Sequence, residues 1–258
     1  MQNSTSATKN SNKKNEIKRR ESTYYTLISA ALILLVWKLL SLNYNPIILP
    51  SPEKSFFTIY EMMLTKTFWV SIGYSFFRIV SGYLLALLIG TLLGIIMGLN
   101  EKIDNLFRPA VSMLQTVPNI SWILIAIIWF GLNSKIVIFT IFISLAPIFV
   151  INSYEGIKNT SQEYLEMAAV YRLKPLTIFT KIYLYSIKPY LRSAAVITGE
   201  RAWKIGAMAE LLSLDTGIGA GLYWARNNLQ TERIFAWTIV LILMGFLSSK
   251  LLKVLLKN

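Results

Sequence analysis

Glu163-Tyr-Leu-Glu166-Met-Ala-Ala-Val-Tyr-Arg172-Leu-Lys-Pro175, continued by Leu-Thr-Ile-Phe-Thr-Lys181-Ile-Tyr-Leu-Tyr185-Ser-Ile-Lys-Pro189, is a charged, helix-patterned segment stranded between two strongly apolar runs. Glu166 through Arg172 reads as one short helix and Pro175 opens another, because proline suits the first helical position. The small residues Ala168 and Ala169 lie near the bend between them. On spacing alone, two roles stay open. The segment either docks against a soluble partner, or lies on lipid headgroups with Lys174, Lys181 and Lys188 touching phosphates.

The flanking runs belong to lipid. The chain has 258 residues, 54% of them hydrophobic and only 15% charged, with a mean hydropathy of +0.51, well above a soluble domain. Apolar runs of membrane-spanning length recur near 24–42, 74–99, 111–131, 135–153, 190–213 and 234–256. The chain contains no Cys and no His, which removes disulfides, thiolate or imidazole metal sites and histidine-based acid–base catalysis. The expected fold is therefore an all-α integral membrane protein of about six transmembrane helices in one bundle over residues 23–258. Residues 1–22, rich in Lys, Asn and Ser, read as a disordered basic cytoplasmic tail. Pro118 interrupts the third run, either kinking one long helix or separating an interfacial helix from a short span.

Lys and Arg set the orientation. With the N-terminus inside, the tail, the 100–118 loop, the 154–192 loop and Lys250, Lys253 and Lys257 face the cytoplasm. The opposite side then receives only Lys54, Lys66, Lys135, Arg226 and Arg233. This predicts a multi-pass protein of the cell membrane with both termini cytoplasmic. The formal net charge of +13 is accounted for by that bias, and no soluble basic surface with stacking aromatics points to nucleic acid.

Two features lie inside the spans. Gly82, Ala86, Gly90, Gly94 and Gly98 recur every four residues, a stripe that permits close helix–helix packing. The fifth run carries Glu200, Arg201, Lys204 and Glu210. On an ideal helix Lys204 lies about 40° from Glu200, Arg201 about 100° the same way and Glu210 about 80° the other way. All four fit one half of the helix and are candidates for the translocation path or its gate. Glu200 and Lys204 could equally form a self-neutralising i,i+4 pair. After this run, Asp215-Thr-Gly217-Ile-Gly219-Ala-Gly221 follows no strand, so it reads as a tight outer turn into a short helix, Leu222 to Leu229, rather than a phosphate cradle.

The 163–189 segment resembles the cytoplasmic signature of ABC-importer permeases: Glu-Ala-Ala, three residues, Gly, nine residues, Ile-x-Leu-Pro. Glu166, Ala168, Ile182 and Leu184 match it. Met167, Arg172 and Tyr185 depart from Ala, Gly and Pro, and Arg172 matters most because Gly permits a turn that Arg resists. Leu49-Pro-Ser-Pro52, Ser75-Phe-Phe-Arg78, Arg108-Pro109, Trp129-Phe-Gly131, Arg201-Ala-Trp203 and Ala209-Glu210-Leu resemble the nitrate/sulfonate/taurine branch. The resemblance implies a homodimer of permeases in the bilayer, a separate ABC ATPase subunit and an extracytoplasmic solute-binding protein. It also implies that Glu163, Glu166, Met167, Ala168, Ala169, Arg172 and Lys174 belong to the ATPase-coupling loop, about 154–190. This chain would bind no cofactor and perform no catalysis, the ATP being hydrolysed by the partner. The implied solute is a small anion of sulfonate type or a thiamine-precursor-type compound. The rival reading is a proton- or ion-coupled secondary transporter using Glu200, Lys204 and Glu210.

Overall fold

The computed structural model describes residues 24–25 and 28–256. The tail at 1–22 lies outside the described residues. Every regular element among them is helical: α1 (Ile28–Asn43), α2 (Pro52–Met63), α3 (Lys66–Leu99), α4 (Glu101–Thr116), α5 (Asn119–Phe130), α6 (Lys135–Lys158), α7 (Gln162–Val170), α8 (Pro175–Ile178), a π-helical turn (Phe179–Tyr183), α9 (Leu184–Ser213), α10 (Ile218–Asn227) and α11 (Thr231–Leu255).

Local chemistry sets several of these boundaries. Ser51 caps α2 by accepting from the Lys54 amide at 3.3 Å, with Pro52 at the first helical position. Asn100 ends α3 and starts α4: its side-chain oxygen accepts from the amides of Lys102 and Ile103 at 3.0 and 3.4 Å. Pro118 then breaks the third expected span, because α4 and α5 meet at 100°. The 111–131 run is thus two helices. The 12-residue α5 covers only about 18 Å at 1.5 Å per residue, well short of a bilayer core.

By length and composition α3, α6 and α11 are each able to cross a membrane, and the bent α4–α5 pair is a fourth candidate. The apolar α1 has 16 residues, and α9 has 30 residues but carries charges at its middle. Together with the turns below it, α9 begins its helical climb at Pro175, well before the expected 190.

The core lies where α3, α6 and α9 pack together. Ile79, Tyr83, Ala86, Ile141, Phe149 and Trp203 belong to one buried cluster. Tyr83 donates to the Ala195 carbonyl at 3.0 Å, and the Trp203 indole donates to Ser248 of α11 at 2.7 Å, so polar groups tie the apolar helices in register. The small-residue stripe of α3 (Gly82, Ala86, Gly90, Gly94, Gly98) is buried, with its glycines against α6. A Cβ on Gly90 would stand 2.6 Å from the Ala146 carbonyl oxygen, a separation only glycine permits. Large residues such as Leu84, Leu88 and Leu92 cover the outward side of the same helix, as a lipid-facing surface requires.

Candidate functional site

At one end of the bundle, α7 stands clear of the core. Glu163, Glu166, Met167, Ala169 and Val170 are exposed, and Ala168 is buried. The helix spans Gln162–Val170, so it starts earlier and stops sooner than the expected Glu166–Arg172 segment. Its end explains how Arg172 replaces glycine. The Leu173 amide donates to the Ala168 carbonyl at 2.9 Å, the Arg172 amide donates to the Ala169 carbonyl at 3.1 Å, and Arg172 has φ +50°. That is a Schellman closure with a left-handed arginine in the position that favours glycine. The turn is kept; its cost is about 1–2 kcal/mol of left-handed strain. Beyond it, Tyr171, Lys174 and Leu176 are exposed beside Met167 and Val170, an apolar patch with basic and acidic residues near it.

Inside the bundle the charges divide into two groups. Glu210 is 0% exposed and Arg78 of α3 is 4% exposed, and they form an ion pair at 2.9 Å. Arg78 Nη1 also donates to the Thr216 carbonyl at 2.7 Å, Nη2 to Thr216 Oγ1 at 2.8 Å and Nε to Ser134 Oγ at 2.9 Å. The other Glu210 oxygen accepts from Ser75 Oγ at 2.7 Å and from the Gly219 amide at 3.1 Å, while Ser75 accepts from the Ile218 amide at 2.8 Å. Each charge is therefore matched and hydrogen-bonded, the condition under which a buried pair is tolerable. The network clamps α3, the end of α9, the start of α10 and the residue before α6. Gly217 (φ +112°) lets the backbone wrap the Glu210 carboxylate, with no room there for a Cβ. The glycine-rich turn thus has a specific load, and the helix after it begins at Ile218 rather than Leu222.

Arg78 was not among the candidates drawn from the sequence. Its signal was present: it is the only charge in α3 after Lys66, and a lone arginine in a span needs a carboxylate.

Glu200, Arg201 and Lys204 form the second group. They sit at the middle of α9 and are exposed on the isolated chain. Of the two readings for Glu200 and Lys204, the self-neutralising pair is not formed: among the described residues neither side chain makes an ion pair or hydrogen bond. The four charges do not share a surface, since Glu210 is sealed against Arg78. A charge facing lipid at mid-bilayer costs at least about 2.5–3.5 kcal/mol, which disfavours a lipid-facing placement of these three side chains. At the opposite end from α7, a recess of about 600 Å³ opens between the α2–α3 turn, α10 and α11, with Glu61, Asp215, Arg233 and Trp224 on its walls. No cluster of acidic residues able to hold a metal ion occurs among the described residues.

A helical membrane bundle with an exposed charged face on α9 and a helix projecting from one end is compatible with a transport permease. Residues 86–258 match the family model of the binding-protein-dependent transport system inner membrane component, and the chain belongs to that family. It is a permease subunit of an ABC importer. It is 27% identical to the putative aliphatic sulfonates transport permease protein SsuC of Bacillus subtilis over 89% of this chain and 84% of that protein. The nitrate import permease protein NrtB of Leptolyngbya laminosa is 31% identical, over 71% of this chain and 66% of the relative. The bicarbonate transport system permease protein CmpB of Synechocystis is 33% identical, over 66% and 61%. Among solved structures, an inward-facing form of the MetNI methionine ABC transporter matches with a TM-score of 0.60 at 15% identity, over 74% of this chain and 99% of that chain. That likeness concerns the fold.

Proposed function

We propose that two copies of this chain form the path by which a small anion is imported, driven by ATP hydrolysed on a separate subunit. The observation that carries the proposal is α7: a short helix projecting from the bundle, its end locked by the Arg172 turn, presenting Glu163, Glu166, Met167 and Lys174 to a partner. Closure of the ATPase dimer on α7 shifts the bundle between inward-open and outward-open populations. Both termini lie with α7 in the cytoplasm. An extracytoplasmic binding protein delivers solute at the opposite end, where the wide recess beside α10 supports a docking role. The chain itself binds no nucleotide and no cofactor; residues 23–258 act as one permease unit behind a basic tail. The names of the relatives, covering sulfonate, nitrate and bicarbonate, support an anionic solute over a thiamine-precursor-type one.

The secondary-transporter alternative loses ground because Glu210, one of its three proposed residues, is neutralised within a closed network. The test is gentle solubilisation of the full chain from its native host with a C-terminal tag. An ATPase subunit recovered in near-equal amount is the expected result. Recovery of the permease alone after stable extraction would overturn the reading.

A further inference from the structure

We propose that the groove beside the α4–α5 break is an anion-binding station within the membrane, built by Arg201 and Lys204 of α9 with Gln115, Asn119 and Ser144, and selective for a small oxyanion or sulfonate. This deepens the importer reading and rests on it. The groove has a volume of about 380 Å³, within the range that encloses small molecules.

Its lining is one-sided in charge. Arg201 and Lys204 both face it, no acidic residue lines it, and neither cation has an ion-pair or hydrogen-bond partner among the described residues. Read from the sequence alone, Glu200 and Glu210 balance these two cations. In the folded chain Glu210 is spent on Arg78, and Glu200 neither lines the groove nor pairs with Lys204. Arg201 and Lys204 are therefore left without a carboxylate in contact where they line the groove.

The remaining polar side chains can each donate. Gln115 and Asn119 bring side-chain amides from either side of the break. The Ser144 hydroxyl oxygen is buried and has no hydrogen-bond partner in the folded chain, although its residue lines the groove. A buried hydroxyl without a partner costs stability unless something else satisfies it. Asn119 also begins α5, whose N-terminus carries no side-chain cap, so its first amides add partial positive charge. A guanidinium fork, an ammonium and the N–H and O–H groups of two amides and a hydroxyl suit an oxygen-rich anion, and the two positive charges repel a cation. The position suits transport as well. The groove lies at the middle of α9 and at a break in a helix, where irregular backbone in a membrane is tolerated only if it is covered by protein or lines a cavity.

The chain has no cysteine, so one introduced thiol reports on the groove alone. Leu114→Cys, with Ile148→Cys as a second position, places it in the lining. The full-length protein in lipid nanodiscs is modified with anionic sulfonatoethyl methanethiosulfonate and with its cationic trimethylammonioethyl analogue. Each rate is divided by that reagent's rate with a small free thiol. The expected result is an anion preference of about tenfold, reduced severalfold by Lys204→Met or Arg201→Gln and kept by Lys204→Arg, with methanesulfonate slowing the anionic reagent. Absence of preference at both positions, or preference unchanged by both neutralisations, would overturn the site. The result does not depend on a bound ATPase. A chain that keeps the preference but recovers no ATPase would refute the importer reading while leaving the site standing.

Discussion

Arg78 and Glu210 meet at 2.9 Å across α3 and α9, separated by 132 residues in sequence and almost wholly withdrawn from solvent. The contact joins a span that is otherwise uncharged after Lys66 to the end of the most charged helix, and Thr216, Ser75 and Gly219 complete it. Removing one partner strands the other. Arg78→Met is expected to cost about 3–5 kcal/mol, whereas Arg78→Met combined with Glu210→Met recovers much of the loss. Thermal unfolding of the purified variants in detergent checks this, and equal destabilisation by the single and double changes would refute it.

The left-handed turn at Arg172 leads to the opposite kind of substitution. Glycine adopts φ +50° without the Cβ clash, so Arg172→Gly is expected to stabilise the bend by up to about 1 kcal/mol, less what the more flexible unfolded chain takes back. Arg172→Pro, whose φ is locked near −65°, is expected to disrupt it. Protease protection of the 162–175 segment reads both changes, and a loss of protection in the glycine variant would contradict the assigned geometry.

Close approach of α3 to α6 is tested at Gly90. A leucine there drives a side chain into the Ala146 carbonyl, so Gly90→Leu is expected to cost at least about 1–3 kcal/mol. At Gly73, on the same helix, an added Cβ would meet nothing within 4 Å, and Gly73→Ala serves as the neutral control. Expression and thermal stability should separate the two variants.

Glu166 is exposed and makes no ion pair or hydrogen bond among the described residues. Glu166→Lys is therefore expected to leave insertion and melting temperature unchanged while reducing the amount of ATPase that co-purifies by about tenfold. Undiminished co-purification together with undiminished transport would remove this residue from the interface.

Much of the architecture is visible in linear patterns. The runs that became α3, α6 and α11 are long and apolar enough to be recognised by composition, and a period-four row from Gly82 to Gly98 announces a packed face. Pro118 marks a break, but its 100° bend depends on how α4 and α5 seat against neighbours. At Arg172 a local rule misleads: arginine disfavours the left-handed region, yet two hydrogen bonds of the helix end hold it there. Leu229, with φ +54°, closes α10 in the same way.

Hydropathy, charge bias and small-residue spacing belong to the sequence itself, because they act within one helix or between a helix and its solvent. By themselves they determined a helical membrane protein with a charged loop, and the resemblance of that loop to a known signature added the permease reading. They did not determine which of four charges on one helix remained available. Tertiary structure decided that by bringing Arg78 and a glycine-wrapped turn to Glu210, leaving Arg201 and Lys204 unpaired. The physical reason is that a buried charge is neutralised by whichever group the fold places within about 3 Å, and proximity across more than a hundred residues is not encoded in any local period.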